Sequence, residues 1–256
     1  MRGGGRGVRF RRINETPTMD LQGKVALVTG ASSGTGASIV RALARNGCSV
    51  VLAARSESDL AKVAASCGAD ARTLVVPTDV RDEDQVRRMV ETAIVELGRV
   101  DILVNNAGLG VFKPVVELTA AEFDAIVSVN LRGAFLATKY ALPGMYERKE
   151  GAVINISSIA GKHGFASGGA YCASKFGLMG LMECVFHEAR RYDVRVVTIT
   201  PGSVDTPFFE QAKTTAPDRD RILQPDDVAE TVVLALTLPA RALLRELDIR
   251  PTNPSS

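Results

Sequence analysis

From Gly23 onward the chain alternates short runs that are apolar at nearly every position with longer stretches whose apolar residues recur every three or four positions. No other feature constrains its fold as strongly. A strand with one face in water alternates apolar and polar residues, whereas a strand covered on both faces is apolar throughout. Residues 24–30 form the first such run, and residues 37–46 then carry helical spacing up to Gly47. Further strands are predicted at 49–54, 73–76, 100–104, 151–157 and 194–200, with a short seventh at 245–249. Helices are predicted at 57–66, 82–97, 120–148, from Tyr171 onward, and at 226–236. The helix at 82–97 places Val86, Met89, Val90, Ala93, Ile94 and Leu97 on one face. Pro143 predicts an interruption in the longest helical region.

Apolar strands separated by amphipathic helices imply parallel pairing with both sheet faces covered. The predicted fold is therefore α/β: a single doubly wound Rossmann-type domain, with a parallel seven-stranded sheet and helices on both faces. Right-handed crossovers fix its hand. Ligands in such sheets bind beyond the carboxyl ends of the strands, near the point where the winding reverses. Chemistry is accordingly expected in the loops after strands one, four, five and six.

The first of these loops is Thr29-Gly30-Ala31-Ser32-Ser33-Gly34-Thr35-Gly36, and it leads directly into a helix. Glycines permit the turn and let backbone N–H groups and the helix N-terminus approach a pyrophosphate. The spacing is G-x-x-x-G-x-G rather than the commoner G-x-G-x-x-G. About 20 residues further on, where a carboxylate would bond a free ribose 2′-hydroxyl, the chain reads Ala53-Ala54-Arg55-Ser56. An arginine there suits a 2′-phosphate, so NADP(H) is predicted over NAD(H).

Tyr171 and Lys175 stand four residues apart at the start of an apolar helical run, which puts phenol and ammonium on one face. A cation beside a phenol favours the phenolate and lowers its pKa from about 10. The pair is expected to work as an acid/base unit.

Taken together, these residues resemble the short-chain dehydrogenase/reductase family, in its subgroup of about 250 residues. The resemblance runs from about Leu21 to Pro251. It rests on the glycine loop, Asp79 and Val80 after the third strand, Asn105-Asn106-Ala107-Gly108 after the fourth, Asn130, Ser158, Tyr171-x-x-x-Lys175 and Pro201-Gly202. It implies an oxidoreductase that interconverts a ketone and a secondary alcohol. Ser158 would polarise the substrate oxygen, Tyr171 transfer the proton, Lys175 hold the nicotinamide ribose, and Asn130 hold a water linking Lys175 to solvent. Toward the cofactor it implies Gly30, Ser32, Ser33, Gly34, Thr35 and Gly36 at the pyrophosphate and Asp79 with Val80 at the adenine. Asn106, Ala107 and Gly108 would lie at the adenosine ribose. Pro201, Gly202, Val204 and Thr206 would flank the nicotinamide. Thr35 departs from the pattern, since the family more often has an aliphatic residue there. The loop at 206–225, with Phe208 and Phe209, is expected to form a substrate lid. A 3-oxoacyl thioester or another aliphatic ketone leads on family frequency, with a sugar or polyol second. An intact Ser158, Tyr171, Lys175 and Asn130 set argues against a non-catalytic dinucleotide sensor.

Charge and composition bound the partners. Residues 1–18 hold five arginines against Glu15, so this stretch carries the basic character and leaves the rest of the chain slightly acidic. It is read as a basic, disordered extension preceding the domain at 19–256. A nucleic-acid binder built on it is the weaker alternative. No run of about 18 apolar residues or secretory signal is present, and a cytoplasmic protein is expected. Cys48, Cys67, Cys172 and Cys184 share no C-x-x-C spacing and are read as reduced and structural. His163 and His187 stand alone, so no metal site is expected. Leu178, Met179, Leu181, Met182, Val185 and Phe186 make the Tyr171 helix apolar beyond one face, which predicts a homodimer or homotetramer.

Overall fold

The computed structural model describes residues 20–212, 214, 218–239 and 241–252. The basic extension at 1–18 lies outside them. Seven strands form one parallel sheet: β1 (Val25–Thr29), β2 (Ser49–Ala54), β3 (Thr73–Pro77), β4 (Ile102–Asn105), β5 (Gly151–Ile156), β6 (Val194–Pro201) and β7 (Glu246–Ile249). Their order is β3-β2-β1-β4-β5-β6-β7. The winding reverses between β1 and β4, so a cleft opens where their carboxyl ends diverge.

Helices α1 (Gly34–Arg45), α2 (Glu57–Ala65) and α8 (Pro225–Thr237) contribute to one core; α3 (Glu83–Leu97), α5 (Gly133–Arg148) and α6 (Gly169–Ala189) contribute to the other. The strands supply both cores by alternation. Ala26 and Val28 of β1 enter the first, Val25 and Leu27 the second; Ile102 and Val104 of β4 oppose Leu103 in the same way. Because both faces are buried, each apolar side chain adds about 1.5–3 kcal/mol of burial free energy, and the strand must be apolar at every position. Of the apolar face predicted on α3, Val86, Met89, Val90 and Ala93 are buried, but Ile94 is 45% exposed. Cys184 is likewise exposed and packs in neither core.

The long helical region is interrupted, but not at Pro143. α4 (Ala120–Val127) passes into a π-helical turn over Ser128–Arg132 before α5, and α5 runs through Pro143 to Arg148. Pro143 and Lys139, whose carbonyl loses its helical partner, are both exposed, so water can satisfy that carbonyl. The π turn carries Asn130, in keeping with the tendency of such turns to mark functional positions. No helix among the described residues is long and apolar enough to cross a membrane.

Candidate active site

A single cleft of about 1160 Å³ follows the carboxyl ends of the strands from β3 to β6. The glycine loop forms its floor. Gly30 adopts φ +66°, and a Cβ on it would lie 2.8 Å from Ala107 Cα. At Gly36 a Cβ would fall 2.1 Å from Gly30 O and 2.5 Å from Asn106 Nδ2. The loop is clamped to β4: Asn106 Nδ2 donates to the carbonyls of Thr29 (3.0 Å) and Gly30 (3.1 Å), while Thr29 Oγ1 accepts from the amides of Asn106 (3.1 Å) and Ala107 (3.2 Å). Asn106 thus holds the loop with its side chain, a role that its place after the fourth strand did not disclose.

Ser32, Ser33, Gly34, Thr35 and Gly36 line the cleft where α1 begins. Ser33 is the N-cap of α1 but makes no side-chain cap bond, and the first turn holds no acidic residue. By contrast, Ser56, Asp82 and Thr119 cap α2, α3 and α4, each with an acid in its first turn. The first amides of α1 are therefore unclaimed by side chains at a positive helix end. From the opposite wall Thr206 closes on this loop, its Cβ 3.0 Å from where a Gly34 Cβ would stand.

Arg55, Asp79, Val80 and Arg81 line the β2–β3 end. Asp79 is held by Arg81, whose Nη2 donates to Oδ2 at 2.6 Å and whose backbone amide donates to Oδ1 at 3.0 Å. The Arg81 guanidinium keeps the Asp79 carboxyl below the usual carboxylate range, so it stays an acceptor. Arg55 is exposed and has no ion-pair partner among the described residues. The other acid at this end, Asp59, is engaged by Lys62 (2.8 Å) and Ser56 (2.8 Å).

At the β5–β6 end stand Ser158, Tyr171 and Lys175, with Pro201, Gly202 and Val204 beside them. Ser158 Oγ accepts from the Ala160 amide (3.1 Å), which leaves its proton free to donate. Lys175 is 4% exposed, its Nζ 5.8 Å from the Tyr171 ring centroid and donating to Ile156 O (2.9 Å). Spacing thus brings the pair onto one face, yet burial and not the neighbouring charge sets the direction of the phenol's shift. Burial pushes the Tyr171 phenol up to about 12, against a lowering hydrogen bond with Ser158. Burial also pulls the Lys175 ammonium down to about 8. The sequence-based expectation of a lowered phenol is corrected: desolvation of the phenolate outweighs the Ser158 hydrogen bond, and Lys175 is not among the groups that shift it. Asn130 lines no part of the cleft and lies 1% exposed behind it. Its Oδ1 accepts from the Leu109 amide (2.7 Å), and its Nδ2 donates to Leu109 O (2.9 Å) and Ser174 Oγ (2.9 Å).

The family model described as short chain dehydrogenase matches residues 24–217. The chain belongs to this family. An uncharacterised oxidoreductase of Staphylococcus saprophyticus is 38% identical over 236 residues, 91% of this chain and 99% of its own length. A metagenomic short-chain oxidoreductase, solved in complex with NADP, superposes with a TM-score of 0.81 at 38% identity, covering 91% of this chain and 99% of its own. The 3-ketoacyl-(acyl-carrier-protein) reductase of Brucella melitensis, complexed with NADH, gives 0.82 at 33% identity, covering 90% and 97%.

In this short-chain dehydrogenase several cleft residues carry no sequence signal. Arg81 beside Asp79, Leu109 beside Asn130, Phe112 beside Tyr171 and Phe165 beside Phe112 lie in irregular loops, where no periodicity links them to their partners. The buried Lys175 has a measurable consequence. Its drop from 10.5 to about 8 places about 3 kcal/mol on the charged form in the folded state. The unfolded chain binds this proton more tightly, so that penalty is complete below pH 8 and fades as pH rises toward 10.5. Lys175→Met is expected to raise the unfolding midpoint at pH 7, less the hydrogen bond to Ile156 worth about 1 kcal/mol, with the gain shrinking by pH 10. Calorimetry at both pH values tests this. A difference independent of pH would refute it.

Proposed function

We propose that the chain is an NADP-dependent oxidoreductase that interconverts a ketone and a secondary alcohol. The observation that carries this is one cleft with a Ser158–Tyr171–Lys175 group at one end and, at the other, an uncapped, glycine-floored helix start beside Arg55, which pairs with no acid among the described residues. The residues fit a nicotinamide dinucleotide. Side chains at Gly30 or Gly36 would fill the floor where the pyrophosphate approaches, and the free α1 amides suit an anion. When bound, that cofactor supplies or accepts the hydride. Gly30, Ser32, Ser33, Gly34, Thr35 and Gly36 would hold the pyrophosphate. Arg55 would pair with a 2′-phosphate, and Asp79, Val80, Asn106, Ala107 and Gly108 would hold the adenosine. Pro201, Gly202, Val204 and Thr206 would flank the nicotinamide.

Ser158 donates to the carbonyl oxygen and Tyr171, kept protonated by burial, gives that oxygen its proton. A phenol of raised pKa suits the reductive direction at neutral pH. Lys175 sits beside Tyr171 to position the ribose. Since the Asn130 amide already bonds Leu109 and Ser174, its side chain would serve the relay by fixing these two segments behind the cleft. A screen following NADPH absorbance over a panel of ketones tests the reading. Tight NADPH binding without any turnover would defeat it.

For the cofactor preference, Arg55→Ala is expected to lower the NADPH:NADH ratio of kcat/KM about tenfold or more, because a guanidinium–phosphate contact is lost and no NADH contact is. An unchanged ratio would remove Arg55 from the site. On assembly, Phe123, Phe135 and Phe176 are 41–47% exposed near a shallow apolar groove lined by Val127, Leu131 and Leu181. Such a face supports a homodimer or homotetramer. Light scattering at micromolar concentration should give a multiple of the 27.2 kDa chain mass; a monomer would reject it.

A further inference from the structure

Three loops each deliver one phenylalanine to the Tyr171 end of the cleft: Phe112 after β4, Phe165 after β5, and Phe208 at the start of the short helix α7 (Phe208–Gln211) after β6. Phe112 lies at the centre, with ring centroids 5.7 Å from Phe165, 5.5 Å from Tyr171 and 6.1 Å from Phe208; Phe208 is also 5.6 Å from Tyr171. These are edge and tilted contacts, the geometries aromatic rings prefer. The rings are not core. Phe165 is 51% exposed, and Phe112 and Phe208 are half-buried. Gly110 allows them to meet, since a Cβ there would stand 2.5 Å from Phe208 Cζ and 3.2 Å from Phe112 Cζ.

Apart from Lys175, charge is segregated away from this aromatic end. Among the described residues, the charged side chains that line the cleft are Arg55, Asp59, Asp79 and Arg81 at the β2–β3 end, and Lys175. His163, Ser203 and Gln211 also line the cleft, but a sugar seated among the three rings would turn most of its hydroxyls against ring faces that offer no hydrogen bonds, and an anionic substrate finds no fixed cation among the described residues there beyond Lys175. A flat, uncharged ring system, by contrast, can slide among edges already arranged to receive one.

We infer that the substrate is a neutral carbonyl compound whose C=O is borne on an aromatic or similarly planar apolar ring, seated among Phe112, Phe165 and Phe208 with its oxygen at Ser158 and Tyr171. The inference rests on the reductase reading above and narrows it. The carbonyl carbon receives a hydride from the reduced nicotinamide and the oxygen receives the Tyr171 proton. The products are a carbinol and the oxidised nicotinamide, and solvent returns one proton to Tyr171.

The test has two arms. In the first, kcat/KM with NADPH is compared for aryl ketones, straight-chain ketones of equal carbon number, 3-oxoacyl thioesters and ketoses. Aryl ketones should lead by about tenfold or more, and Phe112→Leu, Phe208→Leu and Gly110→Ala should each reduce the aryl:straight-chain ratio several-fold, chiefly through KM. Leucine keeps the sites apolar, so a loss confined to that ratio reports the ring. Gly110→Ala displaces Phe208 without altering any ring. A preference for ketoses or oxoacyl thioesters, or variants that lower all substrates equally, would overturn the inference while leaving a reductase. In the second arm, titration calorimetry compares an aryl carbinol with a straight-chain alcohol in the presence of NADP⁺. Ring-dependent binding without turnover of any ketone would sink the reductase reading and keep the aromatic site. Absence of both would remove both.

Discussion

Tyr171→Phe is expected to lower kcat about 10³-fold while NADPH binding stays within a few-fold of the parent. Removing one hydroxyl deletes the phenol that stands beside Ser158 in the cleft, and positioned proton transfer contributes 10²–10⁴-fold to such reactions. The ring itself remains, with its contacts to Phe112 and Phe208 at 5.5 and 5.6 Å, so the wall of the cleft is preserved. Because the phenol is pushed up to about 12, the parent should hold its acid form well past neutral pH, and reduction should show no loss traceable to Tyr171 below about pH 10. Single-turnover kinetics separate this loss from binding, and NADPH fluorescence reports binding directly. A mutant retaining a tenth or more of parental kcat would show that the proton comes from elsewhere.

Gly36→Ala is the second large effect, and it acts on the cofactor end. Its Cβ would fall 2.1 Å from the Gly30 carbonyl oxygen and 2.5 Å from Asn106 Nδ2. The first contact is with backbone, so it cannot be relieved by turning a side chain. Either α1 shifts away from the loop or the loop opens, and in both cases the Asn106 bonds to Thr29 and Gly30 lengthen. Overpacking of this kind costs about 1–3 kcal/mol, which in a chain of this size lowers the unfolding midpoint by about 2–12 °C. The amides of α1 would lose their aim at the pyrophosphate, and NADPH affinity should fall by tenfold or more. Thermal unfolding with and without NADPH tests both effects. A parental midpoint together with parental affinity would mean that α1 and its loop are not packed as described.

The parallel sheet and most element positions are legible in the sequence because they depend on a local pattern repeated along the chain. β1, β2 and β5 are apolar at nearly every position, and both of their faces are in fact covered. The long helix was harder. Pro143 is a strong local signal for a break, yet its exposed position makes it tolerable, while the π turn at Asn130 has no composition that announces it. Motif residues were legible for a similar reason: glycines after a strand and a Tyr–Lys pair one turn apart keep their meaning whatever surrounds them. Phe112 and Phe165 were not, and Phe208 was legible only as part of an expected lid, since each lies in a different loop and their meeting depends on where three strands end.

By itself, then, the sequence determined the doubly wound frame and the spacing that sets Tyr171 and Lys175 on one helix face, because periodicity and spacing are properties of the chain alone; Ser158 came from the family resemblance. Tertiary structure decided the protonation of that group, the engagement of the Asn106 and Asn130 side chains, and the separation of a charged end from an aromatic one. Those depend on desolvation and on distances between residues far apart in the chain. Burial moved Tyr171 up and Lys175 down, the reverse of what their adjacency suggested for the phenol.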